Sequence, residues 1–405
     1  MDLRLPDAEP TADERAAVDA RLGPPRASWD GAPERTARDL HVAYGGKAQR
    51  DRRHLLLPAL EALQARVGWI SEGGFNYVCR RLDVPPAEAW GVATFYMMLS
   101  TQPRPRRVLH VCDDIACRAK GARATCDGLG AHHSPPLPHG VVGGHDDAPR
   151  GAHVTLNEHH GAWTTSPCLG LCDMAPAALY VEAGVTPVER SLGGVTAEYA
   201  MGLLGGGADP DDVLKTVTVD AIGERRLLRR VGVVDPTSLE AYRQHGGYEA
   251  LARAIAMGPE GVIRELNTAK LLGRGGAAFP TGRKWDAVRT QPERERYIIC
   301  NADESEPGTF KDRVLLTGDP FAIVEALTIG AYTAGCARGF VYIRGEYPLG
   351  AERVQHAIDA ARTAGLLGPN VMGAGFAFDI EVRRGAGAYI CGEETAIFES
   401  IEGRR

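Results

Sequence analysis

A glycine-rich stretch in the C-terminal half is the feature that most constrains the fold. Residues 273–285 read Gly-Arg-Gly-Gly-Ala-Ala-Phe-Pro-Thr-Gly-Arg-Lys-Trp. Gly273, Gly275 and Gly276 lack a Cβ atom, so the backbone N–H groups can approach a phosphate or a flat ring closely. Three cationic side chains lie beside those amides and suit a phosphate: Arg274, Arg283 and Lys284. The stretch therefore predicts a nucleotide-binding loop.

The segment before this loop indicates which kind of loop it is. Gly273, Gly275 and Ala278 fit the pattern G-x-G-x-x-G/A, which marks a dinucleotide-binding turn only between a strand and a helix. Residues 259–272 instead carry apolar side chains at helical spacing. We therefore expect a glycine-rich nucleotide loop that follows a helix, and the alternative is a plain surface loop.

Two later segments make chemical sense as companions of the loop. Residues 297–300 read as a short buried strand, and Asn301, Asp303, Glu304 and Glu306 follow it. Carboxylates repel a phosphate but suit hydroxyls, amide N–H groups and ring nitrogens, so this strand end could hold the sugar or ring part of a ligand. Residues 385–395 again place small residues beside a carboxylate pair. Each segment alone could be a solvated acidic turn.

Composition excludes several classes of protein. The chain has 405 residues, a formal charge of −6 and 44% hydrophobic residues, which predicts two or three domains of ~150 residues each. The acidic balance argues against a nucleic-acid partner. We find no signal peptide and no apolar run long enough to span a membrane. With nine cysteines, we expect a cytoplasmic protein whose thiols are reduced or bound to metal.

The N-terminal part divides into an arm and a helical region. Residues 1–48 are rich in Pro, Arg, Asp and Ala and indicate a mobile arm with one short helix near residues 13–21. Residues 49–104 are expected to be helical, because Leu56, Leu60, Leu63 and Val67 recur at helical spacing and Pro86 can open a further helix.

Four cysteines form the strongest local signal of the first half. A strand at residues 108–111 leads to Cys112 and Cys117, and Cys168 and Cys172 precede a strand at residues 178–181. Four thiolates on two loops can surround a small iron–sulfur cluster. Structural zinc is the alternative, although its usual cysteine spacing is C-x2-C. Cys79 and Cys126 have no partner at ligand spacing.

A histidine-rich segment separates the two cysteine pairs. Its members are His132, His133, His139, His145, His153, His159 and His160. A second metal site or histidine ligation of the cluster is conceivable. We favour a solvated loop, because four cysteines fill a two-iron site and the histidine spacing is irregular.

The second half follows a linker. A glycine run opens residues 205–226, and a helical connector is expected to lead on to Tyr242. Expected strands at residues 297–300, 339–343 and 376–382 alternate with helical stretches. This alternation predicts an α/β fold with ligand loops at the carboxyl ends of strands.

The motifs of both halves resemble one family of redox proteins. Residues from about 227 to 405 resemble the FMN- and NADH-binding subunit of respiratory complex I and the diaphorase subunits of NAD-linked formate dehydrogenases and hydrogenases. Residues from about 54 to 204 resemble the thioredoxin-like [2Fe-2S] subunit that partners it. The implied domains are 1–48, 49–104, 105–204, a linker at 205–226, and 227–405.

The resemblance implies roles for individual residues. The cluster ligands would be Cys112, Cys117, Cys168 and Cys172. The FMN cradle would be Gly273, Arg274, Gly275, Gly276 and Lys284, with Asn301, Asp303 and Glu304 beneath the flavin and Tyr389, Gly392, Glu393 and Glu394 closing the site. Phe279 would stack on the adenine of NADH, and Glu306 and Glu394 would lie near its ribose and nicotinamide. Glu394 is thereby the candidate catalytic residue.

The implied function is a diaphorase that moves hydride between NADH and FMN and single electrons through iron–sulfur clusters. Its partner would be a cluster-rich subunit of a larger redox complex, through which the chain could lie at the inner face of a membrane.

The family continues beyond the last residue seen here with an asparagine-rich FMN-phosphate segment, a ubiquitin-like domain and a [4Fe-4S] motif, so we expect an incomplete flavin domain. The alternative is a [2Fe-2S] carrier or assembly module that does not hold FMN.

Overall fold

The computed structural model describes residues 8–27, 50–132, 137, 161–208, 210, 225–274 and 276–405. These residues include a four-stranded sheet and a separate three-stranded sheet, each packed with helices. The α/β class expected from the sequence is confirmed. We refer below to residues 50–104 as the helical region, residues 105–208 as the mixed-sheet region and residues 225–405 as the C-terminal region.

The described residues before the first sheet form four α-helices: α1 (Ala12–Leu22), α2 (Leu56–Val67), α3 (Glu72–Leu82) and α4 (Pro86–Ala93). Thr11 and Glu14 form a reciprocal capping box that starts α1. Val18 and Leu22 of α1 are buried in the core formed with α2 and α3. The short helix expected near residues 13–21 is therefore observed, but it is docked on α2 and α3 rather than part of a mobile arm, because its apolar side chains find a partner surface.

The described part of the mixed-sheet region consists of strands and helices in the following order: β1 (Arg107–Cys112), α5 (Ile115–Ala119), α6 (Ala122–His132), β2 (Ala162–Ser166), β3 (Ala178–Glu182), β4 (Val188–Leu192) and α7 (Ala197–Leu204). The strand order is β2-β1-β3-β4, with β1 parallel to β2 and the other pairs antiparallel. Leu109, Trp163, Tyr180 and Leu203 fill the core between the sheet and its helices. Cys112 ends β1, Cys117 lies in α5, and Cys168 and Cys172 follow β2, so both cysteine pairs lie at one end of this sheet.

The C-terminal region alternates helices and parallel strands: α8 (Leu239–Gln244), α9 (Glu249–Thr268), α10 (Thr281–Arg289), β5 (Tyr297–Ala302), α11 (Lys311–Gly318), α12 (Pro320–Ala334), β6 (Arg338–Ile343), α13 (Pro348–Thr363), β7 (Asp379–Arg384) and α14 (Glu394–Ile401). The sheet order β5-β6-β7 is sequential and entirely parallel. The carboxyl ends of β5 and β7 therefore deliver the two acidic segments to the same edge of the sheet.

The glycine-rich loop follows a helix, as the sequence predicts, and a second helix comes after it. Helix α9 precedes it and α10 follows it. Helix α9 is kinked at Gly258, whose φ of 72° lies in the left-handed region, directly before Pro259. The helical connector expected before Tyr242 is not observed at residues 225–238, which form turns.

The helical region and the C-terminal region share one hydrophobic core. Leu60 and Tyr96 pack with Tyr342, Cys391 and Ile397 of the C-terminal region. The Tyr96 hydroxyl donates a hydrogen bond of 2.7 Å to Ser400 Oγ, which lies 2.8 Å from the Tyr342 hydroxyl. The two regions thus form a continuous packed unit.

The length and apolar character of the described helices bear on whether they can cross a membrane. No single helix among them is long and apolar enough to cross a membrane. Helices α11 and α12 reach the required length only together, and a bend of 99° separates them.

Candidate functional site

The glycine-rich loop is an exposed turn held at its base by backbone hydrogen bonds. Gly273 N donates to Phe279 O at 2.9 Å, and Thr281 N donates to Leu271 O at 2.9 Å. Gly276 and Ala278 have φ values of 93° and 50°. The glycine supplies a backbone conformation that side chains disfavour, and the alanine adopts it with strain. Gly275 lies outside the described residues.

The aromatic and cationic side chains of this loop face outward. Phe279 is 52% exposed, and the guanidinium of Arg283 lies 5.9 Å from the centre of its ring. The exposed ring offers a flat surface on which an aromatic base could stack. Arg274 and Lys284 are also exposed.

The two acidic segments contact each other directly. Asn301 Nδ2 donates to Gly392 O at 2.8 Å, although the two residues belong to different motifs. A Cβ atom at Gly392 would lie 3.2 Å from Asp303 O. A side chain there would crowd the acidic segment, so glycine permits the close approach of the two loops.

Asp303 is a buried carboxyl group at this junction. Ser305 Oγ donates to it at 3.1 Å. Burial, and next the negative charge of nearby Glu346, raise the pKa of Asp303 to about 7. Its charge is therefore sensitive to pH near neutrality.

Glu304 has a structural role in the described chain. Its carboxylate accepts hydrogen bonds from Asp312 N at 2.9 Å, Arg313 N at 3.1 Å and the Tyr347 hydroxyl at 3.1 Å. These donors lie at the start of α11 and of α13, so Glu304 caps α11 and joins it to its neighbour. It does not line the cavity described next, and the contact with flavin that the resemblance implies for it stays a prediction.

A cavity of about 1170 Å³ lies beside β5 and brings three of the motifs together. Lys284 of the glycine-rich segment, Asn301 of the first acidic segment and Glu394 of the second line it. Its walls are mainly apolar, with Trp285, Phe340 and Phe398 among them, so it offers flat surfaces for a ring system. The other predicted cofactor residues do not line it: Gly273, Arg274, Gly276, Phe279, Asp303, Glu304, Glu306, Tyr389, Gly392 and Glu393.

Glu393 and Glu394 occupy different environments despite their adjacency. Glu393 caps α14, accepting from Thr395 N and Ala396 N at 3.1 Å each. These hydrogen bonds, together with one from the Thr395 hydroxyl, lower the pKa of Glu393. Glu394 begins the helix and reaches the cavity. Of the carboxylate pair, Glu394 is therefore the side chain available to a ligand.

The four motif cysteines converge at the end of the mixed sheet in two pairs. Cys112 and Cys117 form the first pair and are buried, and the sulfurs of Cys168 and Cys172, the second pair, are 3.4 Å apart. Asp114 joins the two loops, since its carboxylate accepts from Ile115 N at 2.6 Å and from Cys168 N at 3.2 Å. Throughout the described ranges, no three His, Cys, Asp or Glu side chains surround a single metal position.

The surroundings of these sulfurs fit an iron–sulfur cluster. Cys112, Cys117 and Cys168 are buried in a small apolar shell that includes Leu169 and Leu171. Gly170 N donates to Cys168 Sγ at 3.4 Å. Two thiol pairs offer two ligands to each of two irons, and N–H donors to sulfur and a dry shell are the features that tune such clusters.

The acidic segment of the C-terminal region reaches the cysteine site. Gly308 N donates to Cys172 Sγ at 3.2 Å. Arg313, which is 2% exposed, holds both carboxylate oxygens of Asp173 at 2.8 Å. Arg344 donates to the backbone oxygens of Cys168 and Glu304, so one side chain bridges the two sites.

Sequence reasoning missed Gly308, Arg313 and Arg344 as site residues. They contact partners more than 100 positions away in the chain, such as Gly308 and Cys172 with a separation of 136. The spacing of residues along the sequence gave no indication of these contacts. Of the histidine-rich segment, His132 ends α6, and the remaining six histidines lie outside the described residues.

Two regions of the chain match models of known protein families. Residues 266–405 match the family model described as the Nuo51 FMN-binding domain. Residues 44–134, which include Cys112 and Cys117, match the model described as thioredoxin-like [2Fe-2S] ferredoxin. Two separate regions of the chain are thus each similar to one of these families. The family resemblance inferred from the motifs is confirmed, with each cofactor type assigned to its own region.

Curated relatives are similar to most of this chain or to part of it. The alpha subunit of the NAD-reducing hydrogenase HoxS of Cupriavidus necator is 33% identical over 88% of this chain and 56% of the relative. An NADH-quinone oxidoreductase subunit of Aquifex aeolicus is 50% identical over 44% of this chain and 42% of the relative. The HndC subunit of the NADP-reducing hydrogenase of Solidesulfovibrio fructosivorans is 50% identical over 44% of this chain and 36% of the relative.

A solved structure is similar across both regions. The crystal structure of an NAD+-reducing [NiFe]-hydrogenase in the H2-reduced state aligns with a TM-score of 0.66 and 29% identity, covering 87% of this chain and 55% of the solved chain. This chain spans between about a third and just over half of the length of the relatives it matches.

Proposed function

We propose that the chain is an NADH dehydrogenase module of the diaphorase type, which works with FMN and a [2Fe-2S] cluster inside a larger redox assembly. The contact between the acidic segment and Cys172 carries this proposal, because Gly308 N donates directly to the sulfur of a candidate cluster ligand. The nucleotide motifs and the cysteine site are thereby parts of one unit.

The residues of the cavity beside β5 have distinct tasks in this proposal. Lys284 supplies a positive charge for a phosphate, and the glycine-rich loop supplies backbone N–H groups. Asn301 is oriented by its hydrogen bond to Gly392 O and presents its remaining amide groups to a ring. Glu394 lies at the cavity wall and Phe279 on the exposed loop, where they can bind the nicotinamide and adenine parts of NADH.

Bound FMN supplies the chemistry that connects two-electron hydride transfer with one-electron transfer. The protein contributes positioning and exclusion of water, so no general acid or base is assigned. Cys112, Cys117, Cys168 and Cys172 would hold the cluster in its apolar shell. The exposed carboxylate of Glu306 would disfavour the 2′-phosphate of NADPH, which supports NADH as the substrate. A cluster-rich subunit would be the partner, with the chain in the cytoplasm.

The test is an anaerobic visible spectrum of the purified, reconstituted chain, with iron and flavin quantified before and after NADH is added. We expect flavin and iron bands that bleach together. Lys284→Met is expected to lower flavin content and leave iron content unchanged, and Cys168→Ser to do the reverse. Iron absorbance without flavin would contradict the dehydrogenase assignment and select the [2Fe-2S] carrier. A colourless sample that contains zinc would contradict both.

A further inference from the structure

A second cavity lies where the helical, mixed-sheet and C-terminal regions meet. Its volume is about 530 Å³, within the range of small-molecule sites. Helix α2, strands β3 and β4, helix α13 and strand β7 contribute to its walls. None of the residues assigned above to FMN, NADH or the cluster lines it. We call it the junction cavity.

The junction cavity has an excess of positive charge in an acidic protein. Six arginines and three glutamates line it: Arg21, Arg104, Arg106, Arg190, Arg383, Arg384, Glu61, Glu189 and Glu352. Arg383 pairs with Glu381, and Arg384 pairs with Glu189. Within the described part of the chain, the other four arginines have no carboxylate at ion-pair distance. Clustered guanidinium groups repel one another unless an anion lies between them.

Arg104 is the arginine whose positive charge is least compensated by its surroundings. Its Nε donates to Gly68 O, and Arg106 Nε donates to Ala183 O at 2.8 Å. Arg104 is half-buried, because one side of it faces the cavity and protein surrounds the rest. Burial alone lowers the pKa of its guanidinium to about 10. A guanidinium removed from water without a carboxylate partner is destabilising. Backbone carbonyl contacts at Nε also fix the planar group, which is pre-organised for an acidic ligand.

The remaining walls of the cavity are apolar. Pro58, Ala62, Val108, Val181 and Pro187 belong to its lining. A free inorganic ion would satisfy the arginines but would leave these surfaces in contact with water. An organic anion would satisfy both, since its head could accept hydrogen bonds and its body could cover apolar area.

We propose that the junction cavity binds a small organic anion, whose carboxylate or phosphate head contacts Arg104 and whose body packs against the apolar walls. Because three regions contribute to the cavity, the bound anion holds them together and stabilises the folded chain. The site is separate from the nucleotide cavity, so it does not depend on the redox function proposed above.

The experiment uses isothermal titration calorimetry and thermal unfolding of the full chain. Phenyl phosphate and benzoate are the probes, and they distinguish a phosphate head from a carboxylate head. We expect at least one of them to bind more tightly than inorganic phosphate and to raise the unfolding midpoint. Arg104→Met is expected to weaken binding at least tenfold. The control Arg294→Met removes an exposed arginine that does not line the cavity and is expected to bind as the parent does.

Three outcomes would overturn the proposal. They are the absence of binding by both probes, unchanged affinity in Arg104→Met, and equal stabilisation by sodium chloride at the same ionic strength. If Arg104→Met does not fold, Ala62→Glu tests the site in another way, because it introduces a carboxylate into the cavity wall. This variant is expected to abolish binding, and retained affinity would contradict the proposal.

Discussion

At the scale of single residues, the buried Glu325 and the half-buried Glu61 lie in different surroundings. Glu325 accepts from the Tyr242 hydroxyl at 2.6 Å, from Tyr248 N at 2.8 Å and from Leu251 N at 3.0 Å, and so fixes the start of α9. Glu61 on α2 is different. Burial is the main reason that its pKa is raised to about 7, with Arg384, Glu189 and Arg21 as the charged groups that face it.

Glu61 is predicted to make stability depend on pH. Its pKa rises from 4.5 to about 7 on folding, so the folded chain binds the proton more tightly between these values. Stability is therefore fully retained below pH 4.5 and lost as the pH rises towards 7. Glu61→Gln removes this loss and is expected to be more stable than the parent at pH 8 by about 1–3 kcal/mol.

Urea unfolding at pH 5 and at pH 8 measures this effect. The two proteins are expected to differ less at the lower pH, where Glu61 of the folded parent is protonated. Glu198→Gln makes the same chemical change on the surface of α7 and serves as the control. A Glu61→Gln variant with the same pH dependence as the parent would show that Glu61 is not the group responsible.

At the scale of elements, the short helix at Cys172–Met174 and the start of α11 form one unit. The Arg313–Asp173 pair holds the two elements together, and Gly308 N reaches Cys172 Sγ from the loop that leads into α11. Glu304 caps the same helix from the other side. A ligand that moves the acidic segment would therefore change the hydrogen bond to the cysteine sulfur.

Asp173→Asn is predicted to weaken this connection. Loss of the charge on one partner of the pair is expected to cost about 1–3 kcal/mol of stability, since Asp173 is partly exposed. A weaker Gly308 N–H donor would stabilise the reduced, more negative cluster less, so its midpoint potential is expected to become more negative. A redox titration followed by electron paramagnetic resonance measures the shift.

The control for that titration is Glu189→Gln. It breaks the 2.9 Å pair between Glu189 and Arg384, which also joins the mixed-sheet and C-terminal regions but does not involve the cysteine loops. We expect no change of potential in this control. Equal shifts in both variants would mean that loosening of the regions in general, rather than the contact at Cys172, sets the potential.

At the scale of the whole molecule, sequence patterns predicted what depends on neighbours in the chain. The α/β class, the strands at β1, β3, β5 and β6, and the helix before the glycine-rich loop follow from local spacing and are observed. The docking of α1, the hydrogen bond from Tyr347 to Glu304 and the bridge made by Arg344 depend on distant partners. Those partners become visible only when the regions are packed together.

The shared core of the helical and C-terminal regions leads to a prediction for the whole chain. Tyr96→Phe removes the hydroxyl that donates to Ser400 Oγ and leaves the ring in place. We expect a loss of about 1–2 kcal/mol, because the buried Ser400 hydroxyl loses the donor that Tyr96 supplies. Since the core is continuous, hydrogen exchange should accelerate in α2 and in β6 together.

Tyr180→Phe is the matched control for this variant. It removes a hydroxyl that donates to Glu182 at 2.8 Å within β3, outside the shared core. Its effect is expected to remain in the mixed-sheet region. If Tyr96→Phe accelerates hydrogen exchange in α2 but not in β6, the two regions unfold independently. Contact across their boundary would then not make them one cooperative unit.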